Sequence, residues 1–285
     1  MKSRFSVPTW VWENQIPFQP DSPEVQQRIA GIRDRLALLS DPNPEVSVVI
    51  PAYNEEKDLL STLSTLSHQQ TRFRTEIIVV NNNSTDRTQE ILDACGIRSF
   101  FEPRQGISFT RQTGLEKASG HYYLNADADS MYPPGWIQAH VEALQIAGVR
   151  CSYGQHSFIP EGSAGRIGLG LYEIISERYF AFRRMRKREY LNVLGFNFGI
   201  LRQDALEVGG FNVSRQRWQD GWMALEMLKK GKLHRICTEH ARVWTSDRRL
   251  KADGNLFKAF TNRIKIHVVK LYKYWIKKPG TRAST

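Results

Sequence analysis

From Val46 to Asn125, short apolar runs alternate with stretches in which apolar residues recur every three or four positions. The runs at 46–50, 76–80, 97–101 and 121–125 have the length of buried strands. Between them, 55–67 sets Leu59, Leu60, Leu63 and Leu66 on one helical stripe. A second helix is expected to end near Ala94, with Ser84 and Asp86 as capping candidates, and a third to span 106–118. Ahead of this region Pro8, Pro17, Pro20 and Pro23 break the chain. Residues 24–39 then carry Val25, Ile29, Ile32, Leu36 and Leu39 roughly on one face, until Asp41-Pro42-Asn43-Pro44 ends the pattern. This leader, 1–44, is expected to pack as a helix or to extend as an arm.

A strand–helix–strand rhythm implies right-handed crossovers, hence an α/β domain with a mostly parallel sheet flanked by helices. Ligands bind such sheets at the carboxyl ends of the strands. Four segments fall there: Pro51-Ala52-Tyr53-Asn54-Glu55, Asn81 to Asp86, Arg104-Gln105-Gly106, and Ala126-Asp127-Ala128-Asp129. Asp127 and Asp129 are separated by one residue, so in extended backbone their side chains share a side. Two carboxylates so placed suit a hard divalent cation, Mn²⁺ or Mg²⁺, that keeps positions open for phosphate oxygens.

Composition narrows the field. At 285 residues, 41% hydrophobic and 24% charged, the chain is globular, and no apolar run approaches about 18 residues, so no membrane-spanning helix is expected. The first 20 residues do not read as a secretory signal, and three scattered cysteines (Cys95, Cys151, Cys237) give neither a disulfide framework nor a zinc site, which fits a cytoplasmic setting. The 40 Lys and Arg against 29 Asp and Glu leave a formal charge of +11, which attracts nucleic acid, anionic membrane or phosphorylated small molecules.

Residues 46–56, 76–88 and 106–120 and Asp127-Ala128-Asp129, in this order and spacing, resemble family 2 glycosyltransferases across about residues 46–249. The resemblance implies a GT-A fold at 45–250, with a nucleotide-sugar half (45–130) and an acceptor half (131–250). It also implies an activated sugar donor and inversion at the anomeric carbon. Carried over residue by residue, Pro51, Ala52, Tyr53 and Glu55 would hold base and ribose, and Asp127 and Asp129 the metal and diphosphate. Asn81 and Asn82 stand where the family has a carboxylate; an amide oxygen could still accept from a uracil N–H, which favours a UDP-sugar and leaves a GDP-sugar possible. Arg111, in Thr110-Arg111-Gln112-Thr113-Gly114, would face the diphosphate, although the family's usual Asn is Gln112 here.

Gly209-Gly210-Phe211 followed by Arg217-Trp218-Gln219-Asp220-Gly221 resembles the family's Gly-Gly-Phe…Glu-Asp segment, with Gln219 in place of the Glu. Asp220 would be the general base that takes the acceptor hydroxyl's proton; it could equally cap the helix expected at 221–230. Trp218 and Trp222 flank it, either as sugar-stacking faces or as core, and Asn197 is an acceptor-side candidate. Arg248 and Arg249 could clamp the diphosphate or form a solvated basic loop, and His240 is either a further metal ligand or a surface residue.

Two basic amphipathic segments lie outside these motifs. Residues 161–190 lead from small residues into an apolar run ending in Arg183 to Arg188. Residues 256–278, within a C-terminal unit at 251–285, place Phe257, Phe260, Ile264 and Trp275 among seven Lys or Arg. Such helices fit an anionic lipid surface, or else core packing with a charged outer face. The first reading would put the enzyme peripherally on the inner face of the cell membrane, acting on a carbohydrate or lipid-linked acceptor. A nucleic-acid binder is the main alternative, but no helix-turn-helix, zinc-finger or RNA-recognition signature is present. A nucleotidyltransferase would need a Gly-rich loop after the first strand, and a non-catalytic sugar-nucleotide binder would not need Asp220.

Overall fold

The computed structural model describes residues 4–19, 21–160, 165–214 and 218–248. The C-terminal unit expected at 251–285 and the side chain of Arg249 lie outside the described residues. In chain order the elements are α1 (Thr9–Glu13), α2 (Pro23–Leu39), β1 (Val46–Ala52), α3 (Leu59–Ser67), β2 (Thr75–Asn81), α4 (Thr88–Ala94) and β3 (Arg98–Phe101). There follow α5 (Ile107–Lys117), β4 (Tyr122–Asn125), β5 (Ser130–Met131), α6 (Trp136–Gln145), β6 (Val149–Tyr153), β7 (Gln155–Ile159) and α7 (Gly165–Met185). The chain continues through β8 (Phe198–Leu201), α8 (Arg202–Glu207), α9 (Gln219–Lys230), β9 (Lys232–Arg235) and β10 (Arg242–Ser246).

Seven strands form the main sheet in the order β3-β2-β1-β4-β8-β6-β9. The first four are mutually parallel, β8 runs antiparallel to both β4 and β6, and β9 is parallel to β6. The expected mostly parallel α/β sheet is therefore present, with one reversed strand in its second half. β1 and β2 are buried along their whole length, as befits strands covered on both faces. One apolar cluster packs α2, α3 and α6 on one face; the other packs α5, α8 and α9 on the opposite face. The leader helix contributes Val25, Ile29, Ile32 and Leu36 to the first cluster, which is the packed alternative of its two expected states.

Helix boundaries differ from expectation at their starts. α3 begins four residues late, because 55–58 turn in the loop that follows β1. α4 begins at Thr88: Asp86 accepts from the Thr88 backbone N–H at 3.0 Å, whereas Ser84 accepts from Asn54 N–H and caps nothing.

The register fixes the site. Ala52 lies opposite Asn81 and Val49 opposite Asn125, so the ends of β1, β2 and β4 open on one edge. A second, three-stranded sheet, β5-β10-β7, starts immediately after Asp129, and its Thr245–Ser130 pairing delivers Asp247 and Arg248 to that same edge.

Candidate active site

A cleft of about 460 Å³ opens at this edge. Pro51, Ala52, Tyr53 and Glu55 line it after β1, Asn82 after β2, and Asp127 and Asp129 after β4. Thr110 and Arg111 on α5, the Leu194–Phe196 loop, and Trp218, Gln219 and Asp220 at the start of α9 complete its wall. The three acids proposed to act together thus share one cleft, although Asp220 is 91 residues after Asp129 in sequence.

The Asp127–Asp129 loop is fixed by Tyr132. This fully buried phenol accepts from Asp127 N–H at 2.8 Å and lies 3.2 Å from the carbonyls of both Asp127 and Phe196. Thr62 on α3 donates to the Ala128 or Ser130 carbonyl, each at 2.8 Å. The Arg111 guanidinium is buried, 3.5 Å from Asp127 Oδ1, and its Nε has no hydrogen-bond partner. Its place depends on Gly195, since a Cβ there would overlap the guanidinium. Gln112, the departure from the usual Asn, has a job of its own: its Oε1 accepts from Phe211 N–H at 2.7 Å and sits against Gly210, whose φ of +72° leaves no room for a side chain.

At Asp129 lies a cluster of one cation and three carboxylates. Arg248 reaches Asp129 at 3.1 Å, Asp58 at 3.3 Å and Glu55 at 3.4 Å. Burial pushes the Glu55 carboxyl up to about 7, and repulsion from Asp129 adds to this, while Arg248 opposes both. Two hard oxygen donors on a pinned loop, with a cationic side chain already resting on one of them, fit a divalent cation bound partly by protein and partly by phosphate. Among the described residues no group of three His, Cys, Asp or Glu gathers around a metal position, so phosphate or water would fill the remaining coordination.

Asp220 occupies the first turn of α9, with its Oδ1 accepting from Gly221 N–H at 2.9 Å. The N-cap is Trp218, so the alternative reading of Asp220 as the cap is corrected. Trp218 takes a left-handed backbone at φ 69° and is 53% exposed. Such a conformation is strained for a bulky residue and is found where surroundings impose it, often at functional sites. Met223, Ala224 and Met227 anchor the helix in the second apolar cluster.

A family model described as Glycosyl transferase family 2 matches residues 47–209. The chain belongs to glycosyltransferase family 2. Glycosyltransferase AglE of Haloferax volcanii is 30% identical over 185 residues, which is 59% of this chain and 56% of that one. The matched stretch thus spans just over half the length of that relative. Among solved structures, mannosyltransferase PcManGT from Pyrobaculum calidifontis, in complex with GDP-Man and Mn²⁺, gives a TM-score of 0.57 at 17% identity, covering 84% of this chain and 72% of that one. TarS 1–349 of S. aureus with UDP gives 0.55 at 14% identity, covering 71% and 60%. At these identities the likeness establishes the fold, which is the expected GT-A fold.

Within this glycosyltransferase fold several assignments need correction. Asn197 is not an acceptor contact: it is buried, its amide donating to the Gln155 and Ala241 carbonyls and its oxygen accepting from Trp136 Nε1 at 2.8 Å. Trp222 packs against the second apolar cluster and does not line the cleft. Asn81 is buried outside the cleft and Asn82 lines it, and the side chains of both bond to the neighbouring loops. Asn81 donates to Gln89 and accepts from Ser84 N–H. Asn82 donates to the Glu102 and Arg104 carbonyls and accepts from Gly106 N–H. Both side chains shape the loops, and Asn82 Oδ1 keeps a second lone pair toward further donors. His240 lies in a separate groove beside Gln70 and Gly135. Sequence reasoning placed Gln105 and Thr110 in candidate segments without giving them a role, and missed Gly195 and Tyr132. A signal existed for Gly195, which lies two residues before the candidate Asn197; Tyr132 reads as an ordinary aromatic.

Proposed function

We propose that this protein transfers a sugar from a nucleoside-diphosphate donor to a hydroxyl of a carbohydrate or lipid-linked acceptor, with inversion at the anomeric carbon. The observation that carries the reading is the shared cleft: Asp127 and Asp129 on one wall, Asp220 on another, and the buried Arg111 beside them. The Asp220 carboxylate takes the acceptor's hydroxyl proton as the oxygen bonds to the anomeric carbon from the face opposite the leaving group. The anomeric C–O bond to phosphate breaks in the same step, and the nucleoside diphosphate leaves with its bonding electrons. Arg111, Arg248 and, outside the described residues, Arg249 lie in the stretches proposed to take up that charge. Mn²⁺ or Mg²⁺ held by Asp127 and Asp129 would supply further charge neutralisation on the diphosphate. Tyr53, 51% exposed at the cleft, offers a ring face for base or ribose, and Trp218 one for the sugar or acceptor.

A GDP-sugar and UDP are named with two of the structural neighbours, and no base-reading side chain is assigned here, so both donor classes enter the test. A panel of UDP- and GDP-sugars with Mn²⁺, read as a shift in unfolding midpoint, is expected to pick out one donor by mass action. Asp220→Asn should then keep that shift and lose transfer. Full activity in this variant, or a response to oligonucleotides in place of nucleotide sugars, would sink the reading.

A further inference from the structure

Helix α7 turns an apolar stripe to solvent. Its 21 residues, about 31 Å long, lie along β7. The side turned to the protein buries Leu169 and Gly170 together with an ion pair: Glu173, 3% exposed, takes both guanidinium nitrogens of Arg166 at 2.7 Å and the Phe158 N–H at 2.8 Å. One turn on, Glu177 pairs with Arg4 at 2.7 Å. The side turned to solvent is apolar. Ile167, Leu171 and Ile175 are 68%, 53% and 47% exposed, and Phe182 and Met185 continue the stripe at helical spacing. A helix buried by the fold alone would not leave a stripe of this length in solvent.

The charges beside the stripe are of one sign. Arg178 interrupts it, and Arg186 and Lys187 extend it, all three exposed. The helix has no acid in its first turn and Arg183 and Arg184 in its last. A second copy packed antiparallel would therefore bring the basic end against a first turn that holds no carboxylate. The chain beyond Asp253 is no better a cover, because it holds eight Lys or Arg and no acid.

We propose that α7 is a membrane-docking helix that lies flat on an anionic phospholipid surface. Ile167, Leu171, Ile175, Phe182 and Met185 enter the headgroup–acyl boundary. Arg178, Arg186 and Lys187 meet the lipid phosphates, with their aliphatic stems lying along the apolar layer. Phe5, exposed and packed against Gly170, adds to the same surface. From the basic end the chain turns through a short 3₁₀ helix, Glu189–Asn192, into the Leu194–Phe196 wall of the cleft. Docking thus brings that wall toward the bilayer. This consequence, access to a lipid-linked hydroxyl, rests on the glycosyl-transfer reading; the docking itself does not.

The test uses the full chain and vesicles of phosphatidylcholine with and without phosphatidylglycerol. Wild-type protein is expected to sediment with the anionic vesicles. The double substitution Leu171→Glu and Ile175→Glu should weaken this by at least about tenfold, by removing two buried aliphatic side chains and adding like charge to the lipid. The midpoint shift with nucleotide sugar should be unchanged. The indole introduced by Ile175→Trp should shift to the blue and be quenched by brominated acyl chains. Equal sedimentation of wild type and double variant overturns the proposal, as does an unquenched indole. So does a wild-type dimer that the double substitution dissociates without any vesicle binding. Loss of sedimentation with no donor response in either protein would leave docking standing and remove the enzyme reading instead.

Discussion

Nη2 of Arg248 lies 3.1 Å from Oδ2 of Asp129, and the small sheet brings it there: β10 pairs antiparallel with β5, the two-residue strand that begins at Ser130. On the proposed reading, a metal-bound diphosphate would need Asp129 free of this guanidinium. Arg248 would then leave Asp129 for the arriving phosphates, exchanging one anionic partner for another.

This exchange makes a prediction about the metal. Arg248→Gln removes the internal cation, so Mn²⁺ without nucleotide should bind roughly threefold to tenfold more tightly, a modest gain because the arginine is half exposed. Nucleoside diphosphate in the presence of metal should bind more weakly, since one clamp is lost. Titration of Mn²⁺ by electron paramagnetic resonance, with and without nucleotide, reads both effects. An unchanged affinity for free Mn²⁺ would mean that the Arg248–Asp129 pair does not compete with metal.

The loop bearing Asp127 makes another. Its backbone N–H is taken by the Oη of Tyr132, a fully buried residue. Tyr132→Phe keeps the ring and strands that N–H, at a cost of about 1–3 kcal/mol. Mn²⁺ should bind more weakly and turnover should fall about tenfold, with the circular dichroism spectrum preserved. Chemical denaturation and a Mn²⁺ titration on the same variant check the two parts. A variant of wild-type metal affinity would show that the loop is positioned by Thr62 and the sheet alone.

Much of this architecture is legible before any coordinates. The runs at 46–50 and 76–80 are continuous apolar strands because both faces of the sheet are covered, so periodicity and burial point the same way. Asp127, Asp129 and Asp220 are legible because spacing after a strand and a motif ahead of a helix are local features of sequence. Asn197 was misassigned for a physical reason. An asparagine beside a candidate loop looks the same in sequence whether its amide faces a ligand or ties four buried groups together. The loop contacts of Asn81 and Asn82 are equally hidden in sequence, because their hydrogen bonds run to Gln89 and Glu102, partners reached only when the loops close on each other. The outward apolar face of α7 was likewise open from sequence, because helical spacing gives a stripe and not the direction it faces.

The four groups around Asn197 lead to a prediction about pH. His140 is fully buried on α6, its Nε2 3.0 Å from Asn197 Oδ1 and its Nδ1 2.9 Å from Ser152 Oγ. Asn197 Oδ1 can only accept, so Nε2 carries the proton and Nδ1 accepts from the serine, which makes the ring neutral. Burial pushes its pKa down to about 4 from the ordinary 6.5, the hydrogen bond to Asn197 opposing weakly. The folded value lies below the unfolded one, so between these two pH values the unfolded chain binds a proton that the folded chain refuses. The stability this group contributes is complete above about pH 6.5 and is lost as pH falls toward 4, by roughly 2 kcal/mol at pH 5. His140→Gln offers an amide donor to Asn197 and an acceptor to Ser152 without titrating. Urea unfolding at pH 7.5 and pH 5 should therefore show a smaller loss for the variant than for the wild type, by about that amount. Parallel losses in the two proteins would mean that His140 becomes protonated within the fold, which the neutral partners around it argue against.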